Sequence, residues 1–391
     1  MQLRTYTALL VVLIVLCMTC IAGFNIVIDP YRVFNSPDIA GINKFKVSFF
    51  LHQLQTKPYA VRRMKADAVV IGSSRAGAGI ATDHPGWGNL KVYNYGLGGS
   101  SPYLNWRNYQ HAKANGNLKK VLITLDLYMF NIYHNPENAQ VYRDYEERLS
   151  VTPSNQTNYY YPVRWFKDTA DMLFLLDTLL DSWSTVQLQP RTESGESLMA
   201  TIFPSGFWIS GIPPKMMQRG LFRAMENQYM TEMWFPPPSR KFALVDNEKK
   251  SKLEYLHKIL KDCYQENIDV TLVFFPFHAR LAESMHAVGI WPFFEKWKKD
   301  VVLLNEKEAA KAGQPAYPVW DFTGYNSITT ESVPLPGDRH TRMKWHTDST
   351  HISKAAGDLL QDRIWGTTET QGFMDFGRKV NSSNVDAHNA D

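Results

Sequence analysis

Three short stretches combine residue types that can move a proton and transfer an acyl group. Gly72-Ser73-Ser74-Arg75 sets a serine directly after the apolar run Asp67-Ala68-Val69-Val70-Ile71. A serine at a sharp strand-to-helix turn stands exposed, and backbone N–H groups at the helix start can cradle an oxyanion. In Asp348-Ser349-Thr350-His351 the acid and the imidazole are three residues apart, which makes them neighbours in a helical turn. Asp348 can then accept a hydrogen bond from one ring nitrogen of His351 and leave the other to take a proton from a serine. The third stretch, Asn94-Tyr95-Gly96-Leu97-Gly98-Gly99, ends another strand in glycines, which let a carbonyl oxygen come close to backbone donors.

Other glycine-loop chemistries do not fit. A P-loop needs Lys and Ser/Thr after its second glycine, whereas Gly77 is followed by Ala78-Gly79. A dinucleotide fingerprint needs G-x-G-x-x-G, and Gly77-Ala78-Gly79-Ile80-Ala81-Thr82 lacks the last glycine.

The elements that must position these stretches alternate between strand and helix. Strands are expected over 67–71, 91–95, 120–126, 268–275 and 317–321, and helices over about 103–114, 248–265, 279–312 and 354–364. This alternation, with each strand ending in small or polar residues, predicts an α/β fold with a three-layer parallel sheet. The strand C-termini, and with them the loops 72–75, 96–100 and 345–351, then share one edge, where active sites of open sheets collect. Residues 30–66 read as a connector, and 67–365 as the α/β domain. A helical and aromatic insertion occupies about 131–248, with a helix over 168–186, and a polar, frayed tail follows from 366.

Together the three stretches resemble the SGNH (GDSL-like) hydrolase superfamily over about 67–130 and 250–365. The resemblance implies a flavodoxin-like sheet, Ser74 as nucleophile, His351 as base, Asp348 as orienting acid and Gly99 as oxyanion glycine beside the Ser74 N–H. That family also has a G-x-N-D block after its third strand. Here the region reads Leu125-Asp126-Leu127-Tyr128-Met129-Phe130-Asn131, and Asn131 is the candidate third donor. Arg75, His278 and Trp345 are candidate substrate-binding residues. A rival reading uses Asp126 and Asp321 as a pair of catalytic carboxylates. His340, His346 and His351 match no helix-borne metal spacing, so neither metal nor cofactor is expected.

Composition bounds the setting. Among 391 residues, 42 basic and 38 acidic side chains give a net charge of +4, without the basic run that nucleic acid binding needs. From Thr5 to Ile28 no residue is charged, and about 20 apolar residues suffice to cross a bilayer. Residues 1–29 are therefore expected to be a transmembrane anchor, with Arg4 at its cytoplasmic end and the body outside. A cleavable signal peptide is the competing reading. This layout resembles membrane-anchored cell-envelope acylation proteins of the alginate O-acetylation and teichoic-acid D-alanylation types. The resemblance implies a bacterial cytoplasmic membrane protein with its body in the periplasm or outside the cell. It also implies a polysaccharide or acylated sugar as substrate and a membrane-bound O-acyltransferase as partner. The expected activity is that of a serine O-acyltransferase or esterase; the alternative is a non-catalytic scaffold of the same fold.

Overall fold

A computed structural model describes residues 2–190, 200–209, 211, 217–367 and 371–390. Its central sheet contains β1 (Ala68–Ile71), β2 (Val92–Asn94), β3 (Lys120–Leu125), β6 (Asp269–Phe274), β7 (Val319–Asp321) and β8 (Arg378–Val380). The order is β2-β1-β3-β6-β7-β8, and every pairing is parallel except β7 with β8. A separate antiparallel hairpin joins β4 (Thr201–Ile202) to β5 (Trp208–Ile209).

The helices are α1 (Gln2–Ile28), α2 (Gln53–Met64), α3 (Ser74–Gly79), α4 (Pro102–Asn115), α5 (Gln140–Glu147), α6 (Tyr161–Phe174) and α7 (Leu176–Gln187). They continue with α8 (Gln218–Gln228), α9 (Leu253–Glu266), α10 (Ala279–Ala287), α11 (Trp291–Ala312), α12 (Lys354–Trp365) and α13 (Val385–Ala390).

Successive strand residues point to opposite faces, so a strand buried on both sides feeds two cores. Val69, Ile71, Val121, Ile123, Val270 and Leu272 join one core, with Tyr109 of α4 and Leu260 of α9. Ala68, Val70, Leu122 and Val273 join the other, with Ile80, and Ala356 and Leu360 of α12. The protein is thus α/β with a mostly parallel sheet, and the strand ends fall within two residues of the expected ones.

Four details differ from the sequence expectation. The helix expected over 168–186 is two, because Leu175 is extended (φ −68°, ψ 142°) and turns α7 back beside α6. The span 279–312 also divides: Gly289 (φ +75°) ends the turn after α10, and Pro292 starts α11 in the position where a missing N–H costs nothing. The connector contains α2, which packs on α4. Lastly, the tail is not frayed throughout. Arg378–Val380 adds an antiparallel edge strand, and Phe376, Val380 and Val385 are buried, with Phe376 4.9 Å from Phe322. A three-residue strand carrying two cations has too little alternation to be visible as sequence.

α1 is 27 residues long, about 40 Å at 1.5 Å per residue, and apolar enough to cross a membrane. A signal sequence has the same character.

Candidate active site

The site begins with a glycine that has no substitute. A Cβ on Gly72 would lie 1.9 Å from Thr124 Oγ1 and 2.9 Å from Ala76 Cβ, so β1 can turn into α3 only with glycine there. Ser73 caps α3 by accepting the Arg75 N–H at 3.1 Å, and its hydroxyl donates to Asp126. Ser74 follows as the first helical residue, half-buried between buried neighbours.

On the opposite side, Asp348 folds its loop around its own carboxylate. Oδ1 accepts the N–H of Thr350 at 2.8 Å, the Thr350 hydroxyl at 2.9 Å and the N–H of His351 at 2.9 Å. Oδ2 lies 2.8 Å from His351 Nδ1. A carboxylate acceptor there assigns the proton to Nδ1, which leaves Nε2 with its lone pair. Nε2 lies 2.9 Å from Ser74 Oγ. Burial alone would raise the Asp348 carboxyl. The His351 ring and the N–H groups of Thr350 and His351 outweigh it and hold the acid below its ordinary value.

A glycine-rich loop runs beside the serine turn. The parallel pairing of β1 and β2 continues as a bridge between Ser73 and Leu97, which brings the 96–100 loop alongside. Gly96 touches the α3 turn so closely that a Cβ would sit 2.5 Å from Gly77 N and 2.7 Å from Ser73 O. Gly99 takes φ +63°, which favours glycine, and it is half-buried like Ser74. Asn94 fixes the loop by donating to Ala76 O and Ile80 O and accepting the Gly96 N–H. The fully buried Lys57 of α2 donates to Asn94 O, Gly96 O and Gly206 O at 3.0, 2.7 and 3.0 Å.

No protein-family model matches this chain, and no curated protein matches it significantly. Its chemistry rests on the geometry alone.

Ser74, His351, Asp348 and the Gly99 loop are brought to one edge, whereas four other candidates have structural duties. Asn131 is not an oxyanion donor: its amide nitrogen donates to Trp234 O and Lys241 O, and its oxygen accepts from Tyr133 and Ala243. Both hydrogens are committed to holding the insertion. Arg75 is not exposed to substrate. It is buried, pairs with Asp126, and donates to Thr350 O, Phe275 O and Pro276 O. His278 caps α10 through Nδ1, meets Glu331 O at Nε2 2.7 Å away, and donates its backbone N–H to Ser349 O. Trp345 packs against Phe373 at 5.1 Å and so walls the second core.

The rival carboxylates are locked too, Asp126 by Ser73 and Arg75, and Asp321 by Lys298 and Thr323. His346 packs 5.0 Å from the His278 ring, with Glu331 near its Nδ1. His340 joins a turn through its backbone N–H to Asp338. A separate cavity of about 470 Å³ beside Trp291, Lys298 and Tyr325 includes none of the triad residues.

Sequence reasoning missed what covers the site. Trp208 of β5 sits 6.2 Å from the His351 ring, and its Nε1 lies 2.2 Å from where a Gly77 Cβ would be. Phe49 and Phe50 pack on it at 5.8 and 5.4 Å, and Phe50 also borders Gly98. Nothing local marks Trp208 among eleven tryptophans, because its partners are 130 and more residues away.

Buried histidines make the fold acid-sensitive. Burial pushes His278 to about 4 despite its Glu331 carbonyl partner, and His111 to about 4 despite that of Pro58. Burial, aided by the Lys252 ammonium, takes His134 to about 4 as well, against the backbone of Gly99 and Ser100. These groups stay neutral in the fold while an unfolded chain protonates near 6.5, so the unfolded state binds more protons between those values. The contribution of these three groups to stability is therefore full above about pH 6.5 and falls towards pH 4, by roughly 1.4 kcal/mol per pH unit for each group. Urea unfolding of the full-length protein at a series of pH values measures this. A stability flat from pH 7 to 4 would contradict it.

Proposed function

We propose that this chain is an SGNH-type serine enzyme of acyl transfer, an O-acyltransferase or esterase acting on an envelope or exported polysaccharide. The observation that carries the reading is the unbroken relay Ser74 Oγ–His351 Nε2 and His351 Nδ1–Asp348 Oδ2, at 2.9 and 2.8 Å, on the C-terminal edge of the sheet. The parallel order β2-β1-β3-β6-β7 supports the flavodoxin-like, three-layer form of that fold.

In the forward half-reaction, His351 Nε2 takes the Ser74 proton while Oγ bonds to the ester carbonyl carbon. The N–H groups of Ser74 and Gly99 hold the resulting oxyanion. Collapse breaks the ester C–O bond, the imidazolium returns the proton to the departing alcohol, and acyl-Ser74 remains. In the second half, His351 deprotonates water or a sugar hydroxyl, which takes the acyl group and restores Ser74. Phe50, exposed at the rim and backed by the buried Trp208, offers a ring face to a sugar. α1 would hold the body outside a bacterial cytoplasmic membrane, with a membrane-bound O-acyltransferase as acyl supplier.

A second reading, a non-catalytic scaffold binding polysaccharide or that partner, is favoured by the commitment of Asn131 elsewhere, which removes it as a side-chain oxyanion donor. Treatment of the full-length protein in detergent with a fluorophosphonate separates the two. The enzyme takes a single adduct, mapped to Ser74 and absent from Ser74→Ala. No adduct on folded protein favours the scaffold.

A further inference from the structure

Helices α6 and α7 are amphipathic in the reverse sense. The side of α6 that faces the body buries Arg164 and Asp168 beside a single apolar residue, Met172, and the side of α7 that does so buries Thr178, Ser182 and Thr185. Most of their large apolar residues point outward. Val163, Phe166 and Phe174 form an exposed stripe on α6, as Leu176, Leu180 and Trp183 do on α7, with Phe166 70% and Trp183 56% exposed. A surface helix in water presents the opposite pattern.

What borders this face is α1. Both helices pack on it, and polar contacts lock the joint: Asn25 donates to Leu173 O at 3.0 Å and accepts from Ser182 at 2.8 Å, while Tyr31 donates to Asp181 at 2.6 Å. All of these lie at the C-terminal end of α1, whose residues 3–20 are exposed along their length. The hairpin therefore stands where a membrane-crossing α1 would emerge, at the depth where Trp and Tyr prefer to lie.

We propose that the α6–α7 hairpin is a monotopic membrane element, with its apolar face seated in the outer leaflet of the bilayer that α1 crosses. The proposal rests on α1 remaining as a membrane span and not on the chemistry at Ser74. The hairpin also carries the rim of the cleft. Asp181 of α7 accepts from Ser48 at 2.9 Å and lies beside His52, and between them Phe50 borders Gly98 while Leu51 is exposed. The entrance to the serine then opens close to the lipid headgroups.

The test is collision accessibility of spin labels in full-length protein reconstituted into phosphatidylethanolamine–phosphatidylglycerol vesicles. Single cysteines replace Phe166, Leu180 or, as a control in the body, Lys261, in a background lacking Cys17, Cys20 and Cys263. Labels at 166 and 180 are expected to collide with oxygen and to lose the collisions with a water-soluble nickel chelate that the label at 261 keeps. Nickel collisions equal to those at 261 overturn the proposal in favour of a face in water. Loss of both kinds of collision overturns it in favour of cover by a second copy or another protein. An independent check needs no cysteine variant. Brominated lipid should quench tryptophan emission of the wild-type chain, and the quenching should fall in a Trp183→Phe variant. Absence of quenching in the wild type also overturns it.

Discussion

If Ser74 is the proposed nucleophile, Asp348→Asn is expected to lower the rate at which it is acylated by about 10⁴-fold, and His351→Ala by about 10⁶-fold, with the fold intact. The asparagine is nearly isosteric, and its oxygen can still accept the three donors that meet Oδ1. Its nitrogen, however, stands where Oδ2 meets His351 Nδ1, and it can only donate. The imidazole must then carry its proton on Nε2 and can no longer accept the one on Ser74 Oγ. Hydrolysis of p-nitrophenyl acetate and the rate of fluorophosphonate labelling both measure this, with circular dichroism to show that the variants fold. A loss below tenfold in Asp348→Asn would remove the triad from the proposal.

The second large effect falls on stability. Arg75→Met is expected to cost about 3–5 kcal/mol, because it leaves the Asp126 carboxylate buried without its counter-charge. The guanidinium reaches three further acceptors, on the segments after β6 and before α12, so its loss also frees Thr350 next to His351. Removing both charges in Arg75→Met/Asp126→Leu should return part of the loss, since a buried pair is far less costly to replace than to break. Urea unfolding of the full-length protein supplies both values. A loss under about 1 kcal/mol in the single variant would mean that water reaches the pair.

What the sequence makes legible follows from how local each signal is. The run Ala68–Ile71 and the glycine after it specify a buried strand and a sharp turn over five residues, so the Ser74 turn can be read without its surroundings. The D-x-x-H loop is also local, since Asp348 binds the residues immediately after it. The duties of Asn131, Arg75 and His278 are set by partners about 50 to 275 residues away, and a polar side chain does not disclose which acceptors will occupy it. The α6–α7 pattern carries a different ambiguity. Helical spacing reveals an apolar face, yet it does not say whether that face turns to a core or away from the body.

The joint between α1 and the body decides what kind of anchor α1 would make. Besides the α6–α7 contacts, Lys46 donates to Ile28 O at 2.7 Å and Asn43 to Val27 O at 2.7 Å, so the connector folds back onto the last turn of the helix. A flexible leash of this length would let its cargo sample a volume tens of ångströms across. A bolted mount samples almost none. If α1 spans the bilayer, the serine works at one height and one tilt. An acyl donor or acceptor must then reach it by diffusing in the plane of the membrane or along its surface, and lengthening the connector would cost catalytic throughput before it cost stability.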